Sequence, residues 1–428
     1  MKTTRFIILM FIAVTLSVTT NSCKKDNDKV LYGTITITLK MSEDIIDGSL
    51  SDAKIEATNL TTQRTQTLDI TPSGAQTWTA ELAYGAYRLV AGGKLHHTVL
   101  EAPNVELEDV EDDLLDDLQP VPVEKTDNFN GISNVTITKE QEVANIEIFP
   151  FSSSSGFVIK ELSCFGIEIP VSPFRYDKDA YMIICNNSDE TLYADGLCIF
   201  ENNFLTDSKY IDIYPDKTKS HYVVKTVYMV PGSGNQYPVA PGEEIVIAAE
   251  AINHKSIYSD AADLSHADFE IYTGENDTDN PDVTNLIQIY DTNQSYYQFS
   301  VRPNRSYAIG KLPAGVNADN FITQLAYEFE AVDLVLLSFG IDWPDDHVAY
   351  AVPNANIYDV MTQSIPGDYM WMLCASSLDL NYFPMALGSA NFGKAVIRKT
   401  SIVTEERTYL QKTNNSSVDF KLGSSSLR

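Results

Sequence analysis

The chain has 428 residues, and 59 acidic against 30 basic residues give it a formal net charge of −29 at pH 7. Proteins bind nucleic acid and anionic lipid through a basic surface, so this charge excludes both as the principal partner. Hydrophobic residues make up 44% and aromatic residues 10% of the chain. That composition excludes a disordered chain, and the length leaves room for two or three domains.

Residues 1–22 have the pattern of a signal peptide. Lys2 and Arg5 precede the apolar run Phe6–Val14, small and polar residues follow, and Cys23 comes directly after them. A basic start, a short apolar stretch and small residues are typical of a secretory signal. The segment resembles a bacterial lipoprotein signal, which implies lipid attachment at Cys23. The alternative is an ordinary secreted protein with a cysteine at that position by chance.

Residues 23–30 are predicted to be a lipidated tether. Lys24, Lys25, Asp26 and Asp28 resemble the surface-export tag of Bacteroidota lipoproteins, in which acids follow lysine. The resemblance implies an outer-membrane lipoprotein exposed at the cell surface. No other stretch reaches the roughly 18 uninterrupted apolar residues that a transmembrane helix needs.

Residues 31–151 are predicted to form a first β-sandwich. Gly33–Leu39 alternates apolar and polar residues, which indicates a half-buried strand, and further short strand patterns follow. The sequence around Tyr84, Gly85 and Tyr87 resembles a turn and strand of transthyretin-like, carboxypeptidase-regulatory-like modules. That resemblance implies a spacer or docking platform.

An acidic run, Glu101–Leu118, lies within this module. It is either a cation-binding loop or a solvated face seated by Leu107, Val110, Leu114 and Leu118, whose spacing is near helical. Ser152–Ser155 is predicted to be the joint between the modules.

Residues 156–428 resemble a lamin-tail-like domain. The family pattern matches at the turn Asn187-Ser188-Asp189, at Gly196-Leu197, at the Pro-Gly-Glu turn of residues 241–243, at the Arg-bearing strand Gly393–Lys399, and at Asp419-Phe420. The resemblance implies an immunoglobulin-like sandwich, here with large insertions carrying a few short helices, that acts as an interaction module without catalytic residues. The predicted fold class is therefore all-β, with two β-sandwich modules.

The whole chain resembles an uncharacterised Bacteroidota lipoprotein family known only as a domain of unknown function. That resemblance implies a role at the cell surface. It also carries a genomic association with TonB-dependent transporters and with iron or haem acquisition.

Four cysteines remain once Cys23 is set aside: Cys164, Cys185, Cys198 and Cys374. None forms a C-x-x-C pair, which disfavours a zinc ribbon or a thioredoxin-type site. An exported compartment permits disulfides, but each cysteine lies in an apolar run. The pattern favours buried free thiols.

Two groups of residues are candidate metal or haem ligands. His254 and His266 are possible ligands by residue type, and each is also explained as a surface or capping histidine. Asp277 and Asp279 alternate in an acidic stretch that one calcium ion could use. The same stretch lacks the later glycine and glutamate of an EF-hand, which favours an ordinary polar loop.

Two further segments are candidates for chemistry or binding. Asp345, Asp346 and His347 follow Trp343-Pro344, where the proline predicts a turn; a hydrolase would also need a nucleophile in a cleft. Asp368–Cys374 is predicted to be a strand with two apolar faces. Tyr382 and Met385 follow it and would line a groove for haem or another hydrophobic ligand, or else pack in the interior.

These observations predict a non-enzymatic surface lipoprotein that binds or docks, with iron or haem uptake beside a TonB-dependent receptor as its setting. Calcium and haem are the candidate cofactors. The predicted recognition surface comprises three insertions, Thr226–Asn235, Glu275–Asp282 and Asp345–Pro384. The alternative is an adhesin or structural surface protein that binds host or glycan partners, which exposed Trp343 or Trp371 would support.

Overall fold

A computed structural model describes most of the chain after residue 29. The described residues are 30–41, 46–62, 64–101, 121–151, 156–169, 175–208, 217–274, 277–292, 297, 299–332, 344–403 and 407–428. Cys23, the predicted export tag, most of the acidic run, Ser152–Ser155 and Trp343 lie outside them. The predicted all-β class is confirmed, because strands dominate and helices are short. Within the described ranges, no helix has the length and apolarity to cross a membrane.

Eight strands before residue 152 form one sheet, which we call the first module. Its order is β3-β2-β6-β7-β8-β1-β5-β4. β1 and β8 run parallel to each other, and the other neighbours are antiparallel. The strands are β1 (Tyr32–Met41), β2 (Ile46–Asn59), β3 (Thr65–Thr67), β4 (Thr71–Gly74), β5 (Thr77–Ala83), β6 (Gly85–Glu101), β7 (Val121–Ile137) and β8 (Gln141–Phe151).

The core of the first module comes from one face of these strands. In β1, Ile35, Ile37 and Leu39 are buried and alternate with half-exposed threonines, so the predicted half-buried strand is confirmed. Their side chains join a single apolar cluster with Ile55 of β2 and Ile146 of β8. Because β1 and β2 are not neighbours in the sheet, that shared cluster requires the sheet to curl around its own core.

The chain after Gly156 forms what we call the second module. Its strands are β9 (Phe157–Ser163), β10 (Ile167–Glu168), β11 (Arg175–Tyr176), β12 (Tyr181–Asn186), β13 (Leu192–Tyr193), β14 (Cys198–Asn202), β15 (His221–Met229), β16 (Pro238–Val239), β17 (Glu244–Ala248), β18 (Phe269–Glu270), β19 (Thr284–Asn285), β20 (Ile287–Asp291), β21 (Ser306–Gly310), β22 (Ala326–Val332), β23 (Pro344–Pro353), β24 (Ile357–Ser364), β25 (Phe383–Pro384), β26 (Lys394–Arg398), β27 (Thr400–Val403), β28 (Thr408–Leu410) and β29 (Phe420–Ser424). Among its described residues, the α-helices with given bounds are α1 (Phe321–Leu325) and α2 (Ser416–Asp419), residues 217–218 are also α-helical, and 3₁₀ turns occupy His254–Ser256, Asn354–Asn356 and Gly388–Asn391.

Two sheets of the second module face each other across a common core. One has the order β19-β18-β17-β12-β9-β26-β29, and the other has the order β22-β23-β15-β14-β21-β24-β25, with β20 beside β15. Ile159 and Met182 of the first sheet join Ile199, Tyr307 and Met361 of the second in one buried cluster. The continuous apolar run of β12 is buried along its whole length, as expected of a strand covered on both faces.

Loops cover the outer faces of both sheets, and one of them corrects a prediction. Asp368–Cys374 was expected to be a strand, but the structure has turns and irregular backbone there. The Trp371 indole N–H donates to the carbonyl oxygens of Leu205 and Ser208, each at 3.0 Å. The segment is apolar because Trp371 and Leu373 pack on the outer face of a sheet beside Ala351. It is not itself a strand of that sheet.

The turn predicted at Pro344 is also wrong. Pro344 is the first residue of β23, which pairs antiparallel with β22. A proline is tolerated at the first position of a strand, where its missing N–H costs no ladder hydrogen bond. Asp345, Asp346 and His347 therefore lie on a strand.

A buried arginine joins the two facing sheets. Arg398 of β26 bonds to the carboxylate of Asp359 on β24 and donates to Asp419 at 3.4 Å. Its Nε donates to the carbonyl oxygen of Ile159 at 2.6 Å, and its guanidinium carbon lies 4.3 Å from the centre of the Phe420 ring. All three charged side chains are at most 2% exposed. The Arg-bearing strand and the Asp419-Phe420 pair, which the sequence analysis identified separately, thus contact each other in one ionic cluster.

A further buried carboxyl, that of Asp379, leads to a prediction about pH dependence. It accepts hydrogen bonds from the Ser416 N–H at 2.8 Å, from the Ser416 hydroxyl at 2.7 Å and from the Thr362 N–H at 3.1 Å. Burial raises its pKa to about 7 despite these donors. Between its unfolded pKa of about 3.9 and this value, the folded chain binds more protons than the unfolded chain, so stability must fall as the pH rises.

We therefore expect Asp379→Asn to flatten the decline in Tm between pH 4 and pH 7, because the amide does not titrate. Thermal melts of wild type and variant across this range measure the difference. Asp319→Asn, at an exposed position, is the control and should leave the slope unchanged. Parallel curves for wild type and Asp379→Asn would contradict the assignment.

Candidate functional site

The second module carries a pocket with two lysines and two tyrosines, which we call the lysine–tyrosine pocket. Its volume is about 520 Å³, within the usual range for small-molecule sites. Strand ends and loops that are distant in sequence build it. Its lining residues are Gly156, Phe157, Thr191, Leu192, Tyr193, Gly234, Lys311, Ile357, Tyr358 and Lys412.

A turn held by two asparagines positions one wall. The Asn186 side-chain amide donates to the carbonyl oxygens of Glu190 and Val239, both at 2.8 Å. Asn187 exchanges two hydrogen bonds with the backbone of Leu410, at 2.8 and 3.1 Å. Short amide side chains favour such turns because they bond the local backbone. The turn brings Tyr193 to the pocket, where 42% of the residue is exposed.

A single carboxylate fixes the loop that supplies Gly234. Asp195 is buried and accepts hydrogen bonds from the backbone N–H groups of Gly234, Gln236 and Tyr237, at 2.9 to 3.0 Å. Burial opposes its ionisation, but these donors outweigh burial and lower the pKa of Asp195 to about 2. A β-carbon at Gly232, whose φ is +129°, would lie 2.2 Å from the Asp195 Oδ1, so the loop requires glycine there.

A close backbone approach places Lys311. A β-carbon on Gly310 would lie 2.1 Å from the carbonyl oxygen of Asn356, so only glycine permits this packing of β21 against the turn before β24. The Lys311 N–H donates to the same oxygen at 2.9 Å. Lys311 is thereby held beside Ile357 and Tyr358 at the start of β24.

The second lysine is buried beside the ionic cluster. Lys412 is 8% exposed, and its ammonium donates to the carbonyl oxygen of Tyr358. Burial lowers the pKa of Lys412, while Asp359 and Asp419 act in the opposite direction. An ammonium has three donors, so this bond leaves Lys412 with capacity to bind a ligand. Lys311 and Lys412 are the charged residues among those lining the pocket.

The structure places the sequence-predicted ligand residues elsewhere. His254, interpreted as a ligand or else as a surface or capping histidine, is fully buried. Its Nε2 faces the carbonyl oxygen of Glu250 at 3.0 Å, so Nε2 carries the proton and Nδ1 accepts from the Tyr176 hydroxyl at 2.6 Å. Burial lowers the pKa of His254, which keeps the ring neutral. Both ring nitrogens have protein partners, so neither is available to iron.

The remaining candidate ligands do not converge. His266 is exposed. Asp277 accepts from the Thr273 N–H and hydroxyl at 3.0 and 2.9 Å, and Asp279 accepts from the Asn285 amide at 3.0 Å. Across the described ranges, no three His, Cys, Asp or Glu side chains are grouped to hold a metal ion.

The predicted aromatic and methionine cluster divides between two places. Met385 is buried in the core shared by the two sheets. Tyr382 stacks on Tyr369, with ring centres 4.2 Å apart, where the two modules meet. Trp371 is 8% exposed and offers no aromatic platform, while Trp343 lies outside the described residues.

Parts of two of the three insertions predicted to form the recognition surface are strands. Thr226–Met229 belongs to β15 in the middle of a sheet, and much of Asp345–Pro384 forms β23 and β24. Apolar and polar residues alternate in these segments, or apolar residues follow one another, because the segments form strands of a sheet. His347 pairs in register with Phe329.

Cys164, Cys185, Cys198 and Cys374 are buried free thiols, as their apolar surroundings predicted. Burial raises the pKa of Cys164 and of Cys198 to about 12, and that of Cys185 to about 11. Burial also raises the pKa of Cys374. Thiols of this kind stay protonated and act as small hydrophobic side chains.

Sequence reasoning did not identify Tyr193, Lys311, Tyr358 or Lys412. The one local signal was the Asn187-Ser188-Asp189 turn, which precedes Tyr193 by a few residues. The two lysines look like ordinary surface residues in the sequence, and only the fold brings them together.

Comparison with known proteins gives a family match for part of the chain. Residues 240–426 match the family described as "Protein of unknown function (DUF4876)". No curated protein matches the chain.

Solved structures similar to the chain include two from Bacteroidales species. A DUF3823 family protein from Parabacteroides merdae is 12% identical over 53% of this chain and 85% of its own, with a TM-score of 0.16. A DUF4876 family protein from Bacteroides thetaiotaomicron is 20% identical over 91% of this chain and 94% of its own, with a TM-score of 0.52. The lamin-tail-like and carboxypeptidase-regulatory-like assignments stay predictions. The expected resemblance to a Bacteroidota family of unknown function is supported: residues 240–426 are similar to DUF4876, and 91% of the chain is similar in fold to a DUF4876 protein from Bacteroides thetaiotaomicron.

Proposed function

We propose that this protein is a non-enzymatic binding lipoprotein, anchored at the outer surface through Cys23, that holds an anionic ligand with an apolar body in the lysine–tyrosine pocket. One observation carries the proposal. In a chain with a net charge of −29, the charged residues lining this pocket are both lysines. A pocket whose charged residues are positive, in a protein with a negative net charge, favours an anionic ligand.

The pocket chemistry defines the ligand class further. Lys412 is largely withdrawn from water, and a charge-assisted hydrogen bond to a carboxylate is strong in such surroundings. Phe157, Leu192 and Ile357 supply an apolar lining. The ligand therefore combines at least one carboxylate with an apolar or flat body.

Haem belongs to this class, since it joins two carboxylates to a flat apolar ring. Haem capture beside a TonB-dependent receptor is accordingly the biological setting we propose. The iron would take a tyrosine as its ligand, a ligation known in haem proteins, with Tyr193 and Tyr358 in position at the pocket. His254 would take no part, because its nitrogens are occupied.

The second candidate is an adhesin that binds an acidic glycan through the same pocket. Exposure of Tyr193 and Tyr358, at 42% and 37%, favours it, because rings with a free face can stack on a sugar. Haem and an acidic sugar differ in absorbance, so one set of titrations separates the two candidates.

We expect Lys311→Met and Lys412→Met each to weaken ligand binding by about tenfold or more, because a hydrogen bond to a charged group contributes about 1.5–3 kcal/mol. Titrations of the purified protein with haem, iron-free protoporphyrin and trigalacturonate measure this. A Soret shift with haem alone identifies iron ligation; binding of both porphyrins without such a shift identifies carboxylate capture.

The matched control is Lys255→Met, at an exposed lysine outside the pocket, which should bind as wild type does. Binding of trigalacturonate alone would contradict haem capture and support the adhesin. Failure of all three probes at millimolar concentration, or equal binding by wild type and the pocket variants, would refute the proposed site.

A further inference from the structure

Two cavities lie side by side where the first module meets the second, and we call them together the junction groove. Their volumes are about 400 and 370 Å³. Strands β6 and β7 form one wall. The opposite wall comes from residues 369–382 and 413–418 of the second module.

The two cavities follow the same pair of strands. Asn134 of β7 pairs with Arg88 in one cavity, and Asn130 pairs with Gly92 in the other. Residues at even spacing along a strand share a face. From Arg88 to Lys94 the lined length is about 20 Å at roughly 3.3 Å per residue. The groove therefore suits an extended ligand rather than a compact one.

Three asparagines in this groove have a side-chain NH₂ group without a hydrogen-bond partner, although the Asn415 side-chain oxygen accepts from the Ser417 N–H and hydroxyl at 3.2 and 2.7 Å. Asn130, Asn381 and Asn415 are 5%, 8% and 1% exposed, and the side-chain NH₂ group of each has no partner among the described residues. The side-chain oxygen of Asn130 is also unpartnered. Each such buried group costs about 1–3 kcal/mol. Three such groups beside one groove leave unsatisfied donors and an acceptor in the wall that a bound ligand would contact.

The charge pattern of the first cavity disfavours a multiply charged ligand. The charged residues lining the first cavity are of both signs, Asp52 and Glu56 against Lys54 and Lys94. Lys94 is already bonded to the Asn128 side-chain oxygen at 2.7 Å. The buried groups are neutral amides, which pair with hydroxyl groups because a hydroxyl both donates and accepts.

The second cavity adds an aromatic wall. Tyr369 and Tyr382 line it as a stacked pair, beside Asn381. Arg88 also lines this cavity, so three basic and two acidic residues line the whole groove. Unpaired amides, an aromatic wall and charges of both signs together match the alternating hydroxyl and C–H faces of a sugar. We infer that the junction groove binds a neutral oligosaccharide across the two modules, as a site separate from the lysine–tyrosine pocket.

The test uses maltohexaose, cellohexaose and mannohexaose as probes, with hexagalacturonate as the charged counterpart, in calorimetric titrations of the purified protein. We expect a neutral hexaose to bind and hexagalacturonate to bind more weakly. Asn130→Ala and Asn381→Ala should each weaken that binding about tenfold or more. Asn145→Ala, on the exposed side of β8, is the matched control and should bind as wild type does.

A second measurement guards against misfolding of the variants. Removing an unpaired buried amide relieves its desolvation cost, so the unliganded Asn130→Ala protein should melt at or above the wild-type temperature. Lost sugar binding with retained stability supports the groove. Failure of all three neutral hexaoses at millimolar concentration, or equal binding by wild type and both groove variants, overturns it. Lys311→Met should leave sugar binding intact, so the outcome is independent of the proposed anion site.

Discussion

Arg398→Met should destabilise the second module by about 3–5 kcal/mol, the usual cost of removing one partner from a buried ion pair. The substitution leaves Asp359 and Asp419 in the core without their cation, and both are at most 2% exposed. It also removes the donor to the Ile159 carbonyl oxygen. Because Arg398 and Asp359 belong to facing sheets, the loss should act on the packing of the sandwich as a whole.

Scanning calorimetry measures this as a fall in Tm of roughly 6–20 °C for a module of this size. Arg302→Met is the matched control. Arg302 pairs with Asp207 and Asp368 but is 47% exposed, and such pairs contribute about 1 kcal/mol or less. A triple variant that adds Asp359→Asn and Asp419→Asn should recover part of the loss. If it melts no higher than Arg398→Met, the effect comes from packing and not from unpaired charge.

Asp195→Ala should release the loop of residues 231–237 and cost about 1–3 kcal/mol. Three backbone N–H groups lose their acceptor together, and the loop has no other carboxylate bonded to them. Hydrogen exchange at Gly234, Gln236 and Tyr237 should accelerate strongly in the variant. Because Gly234 lines the lysine–tyrosine pocket, ligand binding should weaken as well.

Asp268→Ala is the control, since that exposed carboxylate accepts from one backbone N–H, of Val246. It should leave exchange in the loop unchanged. The wild-type loop also has a defined pH response. A folded pKa near 2 means that the stabilisation is complete above the unfolded pKa of about 3.9 and is lost as the pH falls towards 2. Fast exchange at pH 6 in the wild type would contradict the role assigned to Asp195.

The parts of the fold that follow from local pattern were predictable. The alternation in Gly33–Leu39 depends on one buried face, and the turn at Asn187 depends on the short reach of an amide to nearby backbone. The Arg-bearing strand and the Asp-Phe close were singled out separately. Only the family pattern related the two segments, and the contact between Arg398 and Asp419 does not follow from local sequence. No local rule pairs a strand residue with a carboxylate 21 residues later.

The lysine–tyrosine pocket was missed, and other predictions were wrong, for a different reason. In each case the outcome depends on residues that are neighbours only in the folded chain. Tyr193 and Lys412 are brought together by segments more than 200 residues apart, and nothing near either residue signals the other. Asp368–Cys374 has the composition of a strand because it covers a sheet. His254 lies in a polar stretch, yet the Tyr176 hydroxyl and the Glu250 carbonyl oxygen satisfy it in the interior.

The parallel pairing of β1 with β8 has a mechanical consequence. The two strands lie side by side over eight residue pairs, from Thr34 opposite Gln141 to Met41 opposite Ile148. With the proposed anchor before β1 and the second module after β8, a pull on a bound ligand draws the two strands along their length in opposite directions. Their hydrogen bonds then carry the load together and do not open one after another. Under drag, the first module should resist extension through this strand pair, and its unfolding rate under force sets how long the ligand-binding module stays tethered.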